Sequence, residues 1–547
     1  MSNSTDKRRH DSFPVLIAGG GPVGLALAVE LGVRGVECLL VERGDGTVPV
    51  PKMSQLTTRT MEFCRRWGIA EEVKKASWPE NHPTDFVFLT SLVGHELFRQ
   101  KFPYYGGRGG VSYTPEGSRQ CPQIFFDPIL LKRAASLPKV TIRHRTRLDS
   151  FIEDSGGVHA RVTDLGTGQT ETITAIYLVG CDGFDGPVRK AVGIEMQGSG
   201  ILSFSVSIFF RSRELESLHD KGWARFYRPV DSTGHWGDLV SIDGRELWRL
   251  TILDLDPDTD MDSFDVDGYM KRVAGTAFPY KIISVLPWKR RDLVADHYHR
   301  GRVFIAGDAA HQCSPTGGLG MNTGIGDAVD LGWKLAAVLD GWGGDALLDA
   351  YEAERRPVAV NHVGNSTRQY QKITSFPGAP GIAEDSPEGE RLRRRCVEQY
   401  HQNQGGSEII TENTRLGYCY EHSPIIRPDG TEAPPENSRA FIPTARPGTR
   451  APHAWVSKGG STLDLFANGF VLLRFGRTPA TVTGLVDAAA ARGVPLQVVD
   501  IYDPKIAELY VRKLVLVRPD GHVAWRDDVC PDDAKALIDL VRGADST

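Results

Sequence analysis

The first forty or so residues alternate between apolar runs and a segment with helical spacing. A short apolar run at 15–18 ends in GGGPVG, residues 25–31 repeat apolar side chains at helical spacing, and a second apolar run at 37–41 ends in Glu42. Continuous apolar runs of this length indicate buried strands, and the segment between them indicates a helix. The order strand, turn, helix, strand predicts a βαβ unit.

The middle of the chain first continues this pattern and then departs from it. Residues 140–152 and 172–179 indicate further strands, whereas residues from about 201 to 285 form short strands separated by turns. Strands joined by turns favour an antiparallel sheet, which we expect to be inserted between segments of the first unit. A helix predicted at 327–339 and another around YEAERRP return the chain to that unit.

The last third contains a loose segment and then a compact one. Residues 376–449 are rich in proline, glycine and charge, which is typical of a linker, and we expect one helix there. Strands at 470–475, 496–502 and 513–518 are followed by GHVAWR and a helix at 532–541. This β-α-β and β-β-α order predicts a separate α/β domain.

A chain of 547 residues exceeds what one hydrophobic core usually supports, so two or three domains are expected. The patterns divide it into a disordered tail (1–12), a first α/β domain (13–75, 115–190 and 286–375), an antiparallel-sheet domain (76–114 and 191–285), a linker (376–450) and a last domain (451–547).

Composition narrows the functional classes. The net charge of −5, from 64 basic and 69 acidic residues, gives no basic surface for nucleic acid. There is no apolar run of about 18 residues and no apolar core in the first residues, so we expect a soluble cytoplasmic protein without membrane contact. The eight cysteines are scattered without CxxC spacing, which predicts neither a metal site nor dithiol chemistry.

The glycines after the first strand form the spacing Gly19-x-Gly21-x-x-Gly24. The motif follows a strand, opens a helix, and is followed by an acid, Glu42, at the end of the next strand. In this context the glycines let a pyrophosphate approach the helix start, and the acid can accept ribose hydroxyls. The motif therefore predicts dinucleotide binding.

Two later segments carry an acid at the end of a strand. Asp182 and Gly183 follow a predicted strand, a pattern that by itself also fits a simple turn. Asp308 precedes a loop with Gly317, Gly318 and Gly320, and a helix follows. Glycines that can take φ > 0 let backbone lie against a flat ligand, and the helix start favours negative charge there.

Taken in order, GGGPVG with Glu42, CDG with VRKAVGI, and GDAAHQCSPTGGLGMNTGIGDAVDLGWK with YEAERRP resemble the single-component FAD-dependent aromatic hydroxylases, the group of 4-hydroxybenzoate, phenol and 3-(3-hydroxyphenyl)propionate hydroxylases. The resemblance covers most of residues 13–360. It implies a glutathione-reductase-type α/β FAD domain with an inserted antiparallel substrate sheet. The last domain resembles the thioredoxin-like domain of the phenol hydroxylases, but without CxxC it implies a structural or dimer-contact role. We expect a homodimer.

The resemblance also assigns cofactor residues. The residues implied to hold FAD are Gly19, Gly21, Pro22, Val23, Gly24, Glu42, Arg43, Gln123, Leu148, Asp182, Asp308, Pro315, Gly320, Met321 and Asn322. Two of the positions that depart from the family pattern bear directly on the site. Gly186 replaces a serine of the CDG turn, and Ser54 stands where phenol hydroxylases carry an aspartate that draws the phenol proton.

The implied reaction uses NADH or NADPH to reduce the flavin, and O₂ then forms a flavin C4a-hydroperoxide that hydroxylates a phenol or another electron-rich aromatic ring. The protein supplies position, charge and dryness. Candidate catalytic residues are Arg225, Tyr227, His235 and His311, and candidate substrate contacts are Ser54, Tyr227, His235, Trp236 and Pro315. The alternative is a protein that binds FAD and an aromatic ligand without turnover.

Overall fold

The computed structural model of the chain describes residues 12–50, 54–76, 78–102, 112–404, 411–435 and 440–544. The predicted disordered tail therefore lies outside the described residues, except for Ser12, which begins the first strand. None of the helices in these ranges combines the length and apolarity that a membrane span requires.

An eight-stranded sheet forms the core of the first domain. Its five parallel strands lie in the spatial order Val303–Ile305, Thr170–Gly180, Ser12–Ala18, Cys38–Val41 and Val140–Arg143. The antiparallel strands His299–Arg300, Thr146–Asp154 and Gly157–Asp164 complete it. All four side chains of Cys38–Val41 are buried, as expected for a parallel strand covered on both faces. The predicted βαβ opening is confirmed.

Helices surround this sheet. The longer ones are Pro22–Val33, Gln123–Ala135, Gly320–Leu339 and Ala346–Thr374, and the shorter ones are Thr58–Arg66, Ala70–Ala76 and Pro187–Ala191. A small antiparallel pair, Gln55–Leu56 with Arg119–Gln120, lies beside them. Short 3₁₀ turns occur at Glu216–Leu218, Gly307–Ala309 and Thr462–Leu465.

A nine-stranded sheet forms the second domain. Its strands lie in the order His311–Gln312, Lys281–Ala295, Met196–Arg211, Leu247–Leu255, Gly237–Ser241, Phe226–Asp231, Phe86–Leu89 and Glu96–Gln100, with Gly234–His235 beside Phe226–Asp231. Helix Val266–Ala274 packs into the core of this domain through Met270, Val273 and Ala274.

The sheet differs from the expected one in two respects. Strands Phe226–Asp231 and Phe86–Leu89 run parallel, whereas the other described pairs are antiparallel. The boundary expected between 285 and 286 falls inside strand Lys281–Ala295, which pairs along its length with Met196–Arg211. Apolar periodicity cannot mark that boundary, because one continuous strand serves both domains.

The segment predicted as a linker is packed against the rest of the protein. It contains two helices, Pro387–Gln404 and Glu412–Leu416, where one was expected. Cys396 and Tyr400 of the first helix join Phe88 of the nine-stranded sheet in a small apolar cluster. The segment therefore covers part of the nine-stranded sheet.

The last domain is a four-stranded mixed sheet with three helices. The strands lie in the order Leu496–Ile501, Phe470–Phe475, Leu514–Val517 and Val523–Asp527, and the helices are Thr483–Ala491, Pro504–Tyr510 and Ala534–Val541. The first two strands are parallel and the others antiparallel, which is the thioredoxin-like arrangement that was expected. A two-stranded ribbon, Trp455–Ser457 with Gly460–Ser461, precedes it.

The last domain docks on the first through buried charges as well as apolar contacts. The Glu354 carboxylate accepts hydrogen bonds from Arg518 Nη1 at 2.5 Å and Lys334 Nζ at 2.6 Å. All three side chains are buried. Phe470 packs edge-on against Trp333, with ring centroids 6.2 Å apart. Because isolated buried charges are costly, these ion pairs stabilise this orientation of the two domains.

Candidate active site and cofactor cradle

A cavity of about 1310 Å³ lies between the two sheets. Its wall contains most of the residues expected to hold FAD, namely Gly19, Gly21, Pro22, Val23, Glu42, Arg43, Gln123, Asp182, Asp308, Pro315, Gly320 and Met321. The opposite part of the wall comes from the nine-stranded sheet and from helix Ala346–Thr374. Three motifs far apart in the sequence therefore meet at one cavity.

Two helices begin at this cavity. Val23 in the first turn of Pro22–Val33 and Met321 in the first turn of Gly320–Leu339 both line it. The N-cap residues, Gly21 and Leu319, have no side-chain acceptor that could bond the first N–H groups of these helices. Since the first N–H groups of a helix have no intrahelical acceptor and lie at the positive end of its dipole, both starts favour negative charge in the ligand.

Glycine is required at two positions of the first turn. Gly19 has φ +109°, and a Cβ there would lie 2.3 Å from the Cys181 carbonyl oxygen. A Cβ on Gly24 would lie 2.0 Å from the Gly19 carbonyl oxygen. The two glycines thus let the first helix approach the ends of two neighbouring strands, and Gly24 acts in packing from outside the cavity wall.

Glu42 lies at the end of strand Cys38–Val41. Its Oε2 accepts a hydrogen bond from the Gly20 N–H at 2.6 Å, and its Oε1 accepts one from the Gly44 N–H at 2.6 Å. These bonds fix the carboxylate beside the glycine turn. Each carboxylate oxygen can accept more than one hydrogen bond, so a ribose hydroxyl can still donate to it.

Asp182 borders the cavity on the other side of the glycine turn. Its Oδ2 accepts a hydrogen bond from the Val188 N–H at 3.0 Å, while its buried Oδ1 has no partner in the described part of the chain. Burial raises the pKa of this carboxyl. A Cβ on Gly186 would lie 2.1 Å from Asp182 Cγ, so this turn leaves no room for a side chain at position 186.

The loop before helix Gly320–Leu339 has the backbone conformation that its glycines suggested, with one exception. Gly317 and Gly318 have φ values of +87° and +66°, whereas Gly320 is already helical. Asn322 lies behind the wall, where its Nδ2 donates to the Gln55 carbonyl at 2.8 Å and its Oδ1 accepts from the Thr57 N–H at 2.9 Å. Asn322 thus ties the loop to the neighbouring strand.

A buried ionic cluster of Asp327, His311 and Arg355 packs behind this loop. Asp327 Oδ2 accepts hydrogen bonds from His311 Nε2 at 2.7 Å and from the Gly307 N–H at 3.2 Å, and Oδ1 accepts one from Arg355 Nε at 2.9 Å. Burial raises the pKa of Asp327, but the charges of His311 and Arg355 outweigh it and lower the pKa. His311 is fully buried and outside the cavity wall, so its geometry fits positioning rather than proton transfer.

Three other residues expected to hold FAD, Gln123, Arg43 and Leu148, differ from one another in burial and in position relative to the cavity. Gln123 begins helix Gln123–Ala135 and donates from Nε2 to Asp127 Oδ2 at 2.9 Å. Arg43 is exposed at the cavity wall. Leu148 is buried in strand Thr146–Asp154, outside the wall.

The expected substrate contacts divide into two groups. Ser54, Arg225 and Pro315 line the cavity, and Arg225 Nη2 donates to Ser54 Oγ at 3.4 Å. Tyr227, His235 and Trp236 do not line it.

Each of these three side chains is buried in packing within the second domain. The Tyr227 hydroxyl donates to the Gly222 carbonyl at 2.6 Å, and burial raises its pKa. His235 Nε2 donates to the Gly237 carbonyl at 2.7 Å. The Arg272 guanidinium lies over the Trp236 ring, with its Cζ 4.1 Å from the ring centroid.

The cavity wall also contains residues that the sequence did not single out. They include the aromatic side chains Phe86, Phe102, Phe226, Trp288 and Tyr370, and the charged side chains Arg228, Asp238, Arg249 and Arg290. Phe86 packs against Phe226 with ring centroids 4.9 Å apart. Strand alternation is the signal that could have found some of them, since Phe226 and Arg228, two residues apart, share a sheet face.

These features fit FAD. The start of the first helix can bind the pyrophosphate of FAD, and Glu42 can bind its ribose. Asp182 Oδ1, which has no partner among the described residues, can accept a hydrogen bond from a hydroxyl or N–H group of the cofactor. The glycine loop can lie against the flat flavin ring. When bound, FAD supplies the redox chemistry, and the protein supplies its position and electrostatics. No cluster of three or more metal-binding side chains occurs in the residues that the structure describes.

Comparison with known proteins agrees with this reading. Residues 12–366 match the family described as FAD binding domain, and residues 444–543 match the family described as aromatic-ring hydroxylase, C-terminal. The chain is 33% identical to tetracenomycin B2 monooxygenase-dioxygenase of Streptomyces olivaceus, with 97% of this chain and 98% of the relative covered.

Two solved structures are also similar. The rebeccamycin biosynthetic enzyme RebC with reduced flavin has a TM-score of 0.90 and 41% identity, covering 98% of this chain and 99% of that one. A ternary complex of aklavinone-11 hydroxylase with FAD and aklavinone has a TM-score of 0.80 and 30% identity, covering 97% and 98%. The expected fold class and FAD cofactor are confirmed, and the chain belongs to the FAD-dependent aromatic-ring monooxygenases.

Proposed function

We propose that the enzyme oxygenates an aromatic polyketide, or a similar multi-ring aromatic compound, with NADH or NADPH as electron donor and O₂ as oxygen source. The observation that carries this proposal is the single cavity of about 1310 Å³, whose wall joins the cofactor cradle to an aromatic chamber. Sites for drug-sized ligands usually measure about 300–1000 Å³, so this volume suits a multi-ring substrate beside a flavin ring.

The aromatic side chains of this chamber can position a flat ring. Phe86, Phe102 and Phe226 form a contiguous aromatic cluster, with centroid distances of 4.8 Å and 4.9 Å from Phe86 to the other two. Aromatic faces and edges favour offset or edge-on contact with another ring. Oxygen transfer needs an electron-rich ring held in register with the flavin and away from water.

Ser54 stands where the resemblance places the aspartate of phenol hydroxylases, and Arg225 lies beside it. The Arg225 guanidinium lies 3.4 Å from Ser54 Oγ and 3.5 Å from Gln55 Oε1, at the cavity wall. A guanidinium near a phenol favours the phenolate, because an opposite charge lowers the pKa of an acid. We infer that Arg225 favours ionisation of a substrate hydroxyl in place of a carboxylate base.

A ligand screen on the purified holoenzyme tests the proposal. Multi-ring phenols are added one at a time with NADH or NADPH, and the rate of oxidation is followed together with product masses. A substrate is expected to stimulate oxidation and to gain one oxygen atom. Ligands that bind without stimulating oxidation would instead support the alternative of a binding protein without turnover.

A further inference from the structure

A further pair of aromatic side chains lies on the cavity wall, besides the three phenylalanines of the aromatic chamber. Tyr113 and Phe441 both line the cavity, and their rings meet edge to face with centroids 5.4 Å apart. Neither residue belongs to a strand of the nine-stranded sheet, and they lie more than 300 positions apart in the sequence. Two distant stretches of chain therefore build a second aromatic surface in the same cavity.

One buried arginine contacts both members of this pair. Arg450 Nη2 donates a hydrogen bond to the Tyr113 carbonyl at 3.1 Å, and the guanidinium lies over the Phe441 ring, 5.7 Å from its centroid. Arg450 is 2% exposed. A guanidinium within about 6 Å of a ring centroid is attracted to the ring, and more strongly where water is excluded. Arg450 thus holds the backbone at Tyr113 and the ring of Phe441 in a fixed relation.

A carboxylate fixes the orientation of this arginine. Arg450 Nε donates to Glu62 Oε2 at 2.9 Å, and its Nη2 donates to Glu62 Oε1. Glu62 Oε1 also accepts a hydrogen bond from Thr114 Oγ1 at 2.8 Å. Burial raises the pKa of Glu62, but the charges of Arg450 and Arg59 outweigh it and lower the pKa. The ionised Glu62 therefore forms a two-point ion pair with Arg450 and ties down the residue next to Tyr113.

The backbone of Arg450 is held by the last domain. Arg450 forms an isolated β-bridge with His522. On either side of it, the Val523 N–H donates to the Thr449 carbonyl and the Ala451 N–H donates to the Gly521 carbonyl, each at 2.9 Å. Since Val523 begins a strand of the four-stranded sheet, the last domain sets the position of the arginine that holds the aromatic pair.

We propose that Tyr113 and Phe441 form a second aromatic subsite, which binds a substrate ring remote from the ring that is oxygenated, and that Arg450 positions this subsite. Aromatic rings favour offset or edge-on contact with another ring. A multi-ring substrate contacts this pair as well as the chamber, whereas a single-ring phenol occupies the chamber alone. The inference rests on the proposed function, and it gives the last domain a role in substrate selection.

Binding measured without turnover tests the subsite. Phenol, with one ring, and 9-phenanthrol, with three, are titrated separately into the holoenzyme by isothermal titration calorimetry. NAD(P)H is left out, so a lack of turnover, which would count against the proposed function alone, does not affect the result. Because a larger ligand gains affinity from its apolar area in any case, the quantity compared between variants is the ratio of the two dissociation constants.

Phe441→Ala is expected to weaken 9-phenanthrol binding about 10-fold, which corresponds to about 1.4 kcal/mol, and to change phenol binding by less than about 2-fold. The matched control is Phe226→Ala in the chamber, which is expected to weaken both ligands by similar factors and to leave their ratio unchanged. An unchanged ratio in Phe441→Ala, an equal shift of the ratio in Phe226→Ala, or no binding of 9-phenanthrol by the unchanged enzyme would each overturn the proposal.

Arg450→Lys tests the positioning role. Lysine keeps the charge but lacks the planar fork that bonds Glu62 and the Tyr113 carbonyl together. The ratio is expected to fall in Arg450→Lys and to fall no further when Phe441→Ala is added, because Arg450 acts through the pair that Phe441→Ala already removes. A lowered Tm without a change in the ratio, or effects of the two changes that add, would show that Arg450 serves the fold alone and overturn its positioning role.

Discussion

Replacing Asp327 by asparagine tests whether the buried cluster below the glycine loop supports the cofactor cradle. The substitution keeps the shape of the side chain and removes its charge. It leaves Arg355 as a buried cation and weakens the hydrogen bonds from His311 and from the Gly307 N–H. Because Gly307 immediately precedes Asp308 at the cavity wall, the cradle is expected to loosen as well.

The expected cost follows from the burial of both partners. The side chains of Asp327 and Arg355 are 0% and 1% exposed, so the pair is fully withdrawn from water. Breaking such a buried pair by removing one charge costs about 3–5 kcal/mol. At about 2–4 °C per kcal/mol for domains of 150–250 residues, the Tm is expected to fall by roughly 6–20 °C.

The assay is thermal unfolding of the holoenzyme, followed by flavin fluorescence and by circular dichroism. The matched control is Glu352→Gln on helix Ala346–Thr374. The Glu352 carboxylate is partly exposed and accepts a hydrogen bond from the Tyr298 N–H at 2.8 Å. That change is expected to cost about 1 kcal/mol or less. Equal Tm values for the two variants, with unchanged FAD affinity in Asp327→Asn, would refute the reasoning.

Three further changes probe other parts of the structure. Gly19→Ala places a Cβ 2.3 Å from the Cys181 carbonyl at a φ of +109°, so the purified variant is expected to show a reduced flavin-to-protein absorbance ratio. Asp308→Ala is expected to raise the FAD dissociation constant about 10- to 150-fold, the loss of one charged hydrogen bond of about 1.5–3 kcal/mol, and an unchanged constant in a fluorescence titration contradicts the assignment. A hydrogen bond from Arg492 is the main cause that lowers the pKa of Asp539 to about 2. Ionised Asp539 therefore stabilises the fold above about pH 4, and this stabilisation is lost as the pH falls towards 2. In Asp539→Asn, the free energy of unfolding is expected to depend less on pH in that range.

The cofactor half of the site could be predicted because its requirements fall on short stretches of chain. Gly19 must take a positive φ beside another strand, and Glu42 must lie at the end of the next strand. Each requirement selects a residue type at a fixed spacing, so the sequence alone reveals it. The role of Asn322 could not be predicted in this way. Two of the groups that its side chain bonds, the Gln55 carbonyl and the Thr57 N–H, lie more than 250 residues away in the sequence.

Predicting the substrate part of the site required knowing which alternate residues of each strand face the cavity. A single sequence does not reveal this when both faces of the strand are buried. Phe226 and Arg228 face the cavity, and Tyr227 between them faces the core of the sheet domain. A polar aromatic residue was therefore expected in the cavity where an arginine lies. The charged wall residues Arg228, Asp238, Arg249 and Arg290 were equally hidden, because they face one cavity only when their four strands come together.

The packed segment after helix Ala346–Thr374 shows a different limit. Its content of proline and glycine indicated a linker, yet Cys396 and Tyr400 bury apolar surface against Phe88. Composition reports how readily a segment turns, whereas its burial depends on the surface that it meets. Another part of the same segment, with Thr411, Glu412 and Arg415, contributes directly to the cavity wall.

The central claim, oxygenation of an aromatic ring in this cavity, is tested most directly by isotope labelling. The holoenzyme is supplied with NADH or NADPH and an aromatic ligand that stimulates its oxidation, once under ¹⁸O₂ in ordinary water and once under ordinary O₂ in H₂¹⁸O. Product mass spectrometry is expected to show one ¹⁸O atom from the gas and none from the water. Product oxygen that comes from water, or an unchanged ligand with peroxide alone, would contradict the claim.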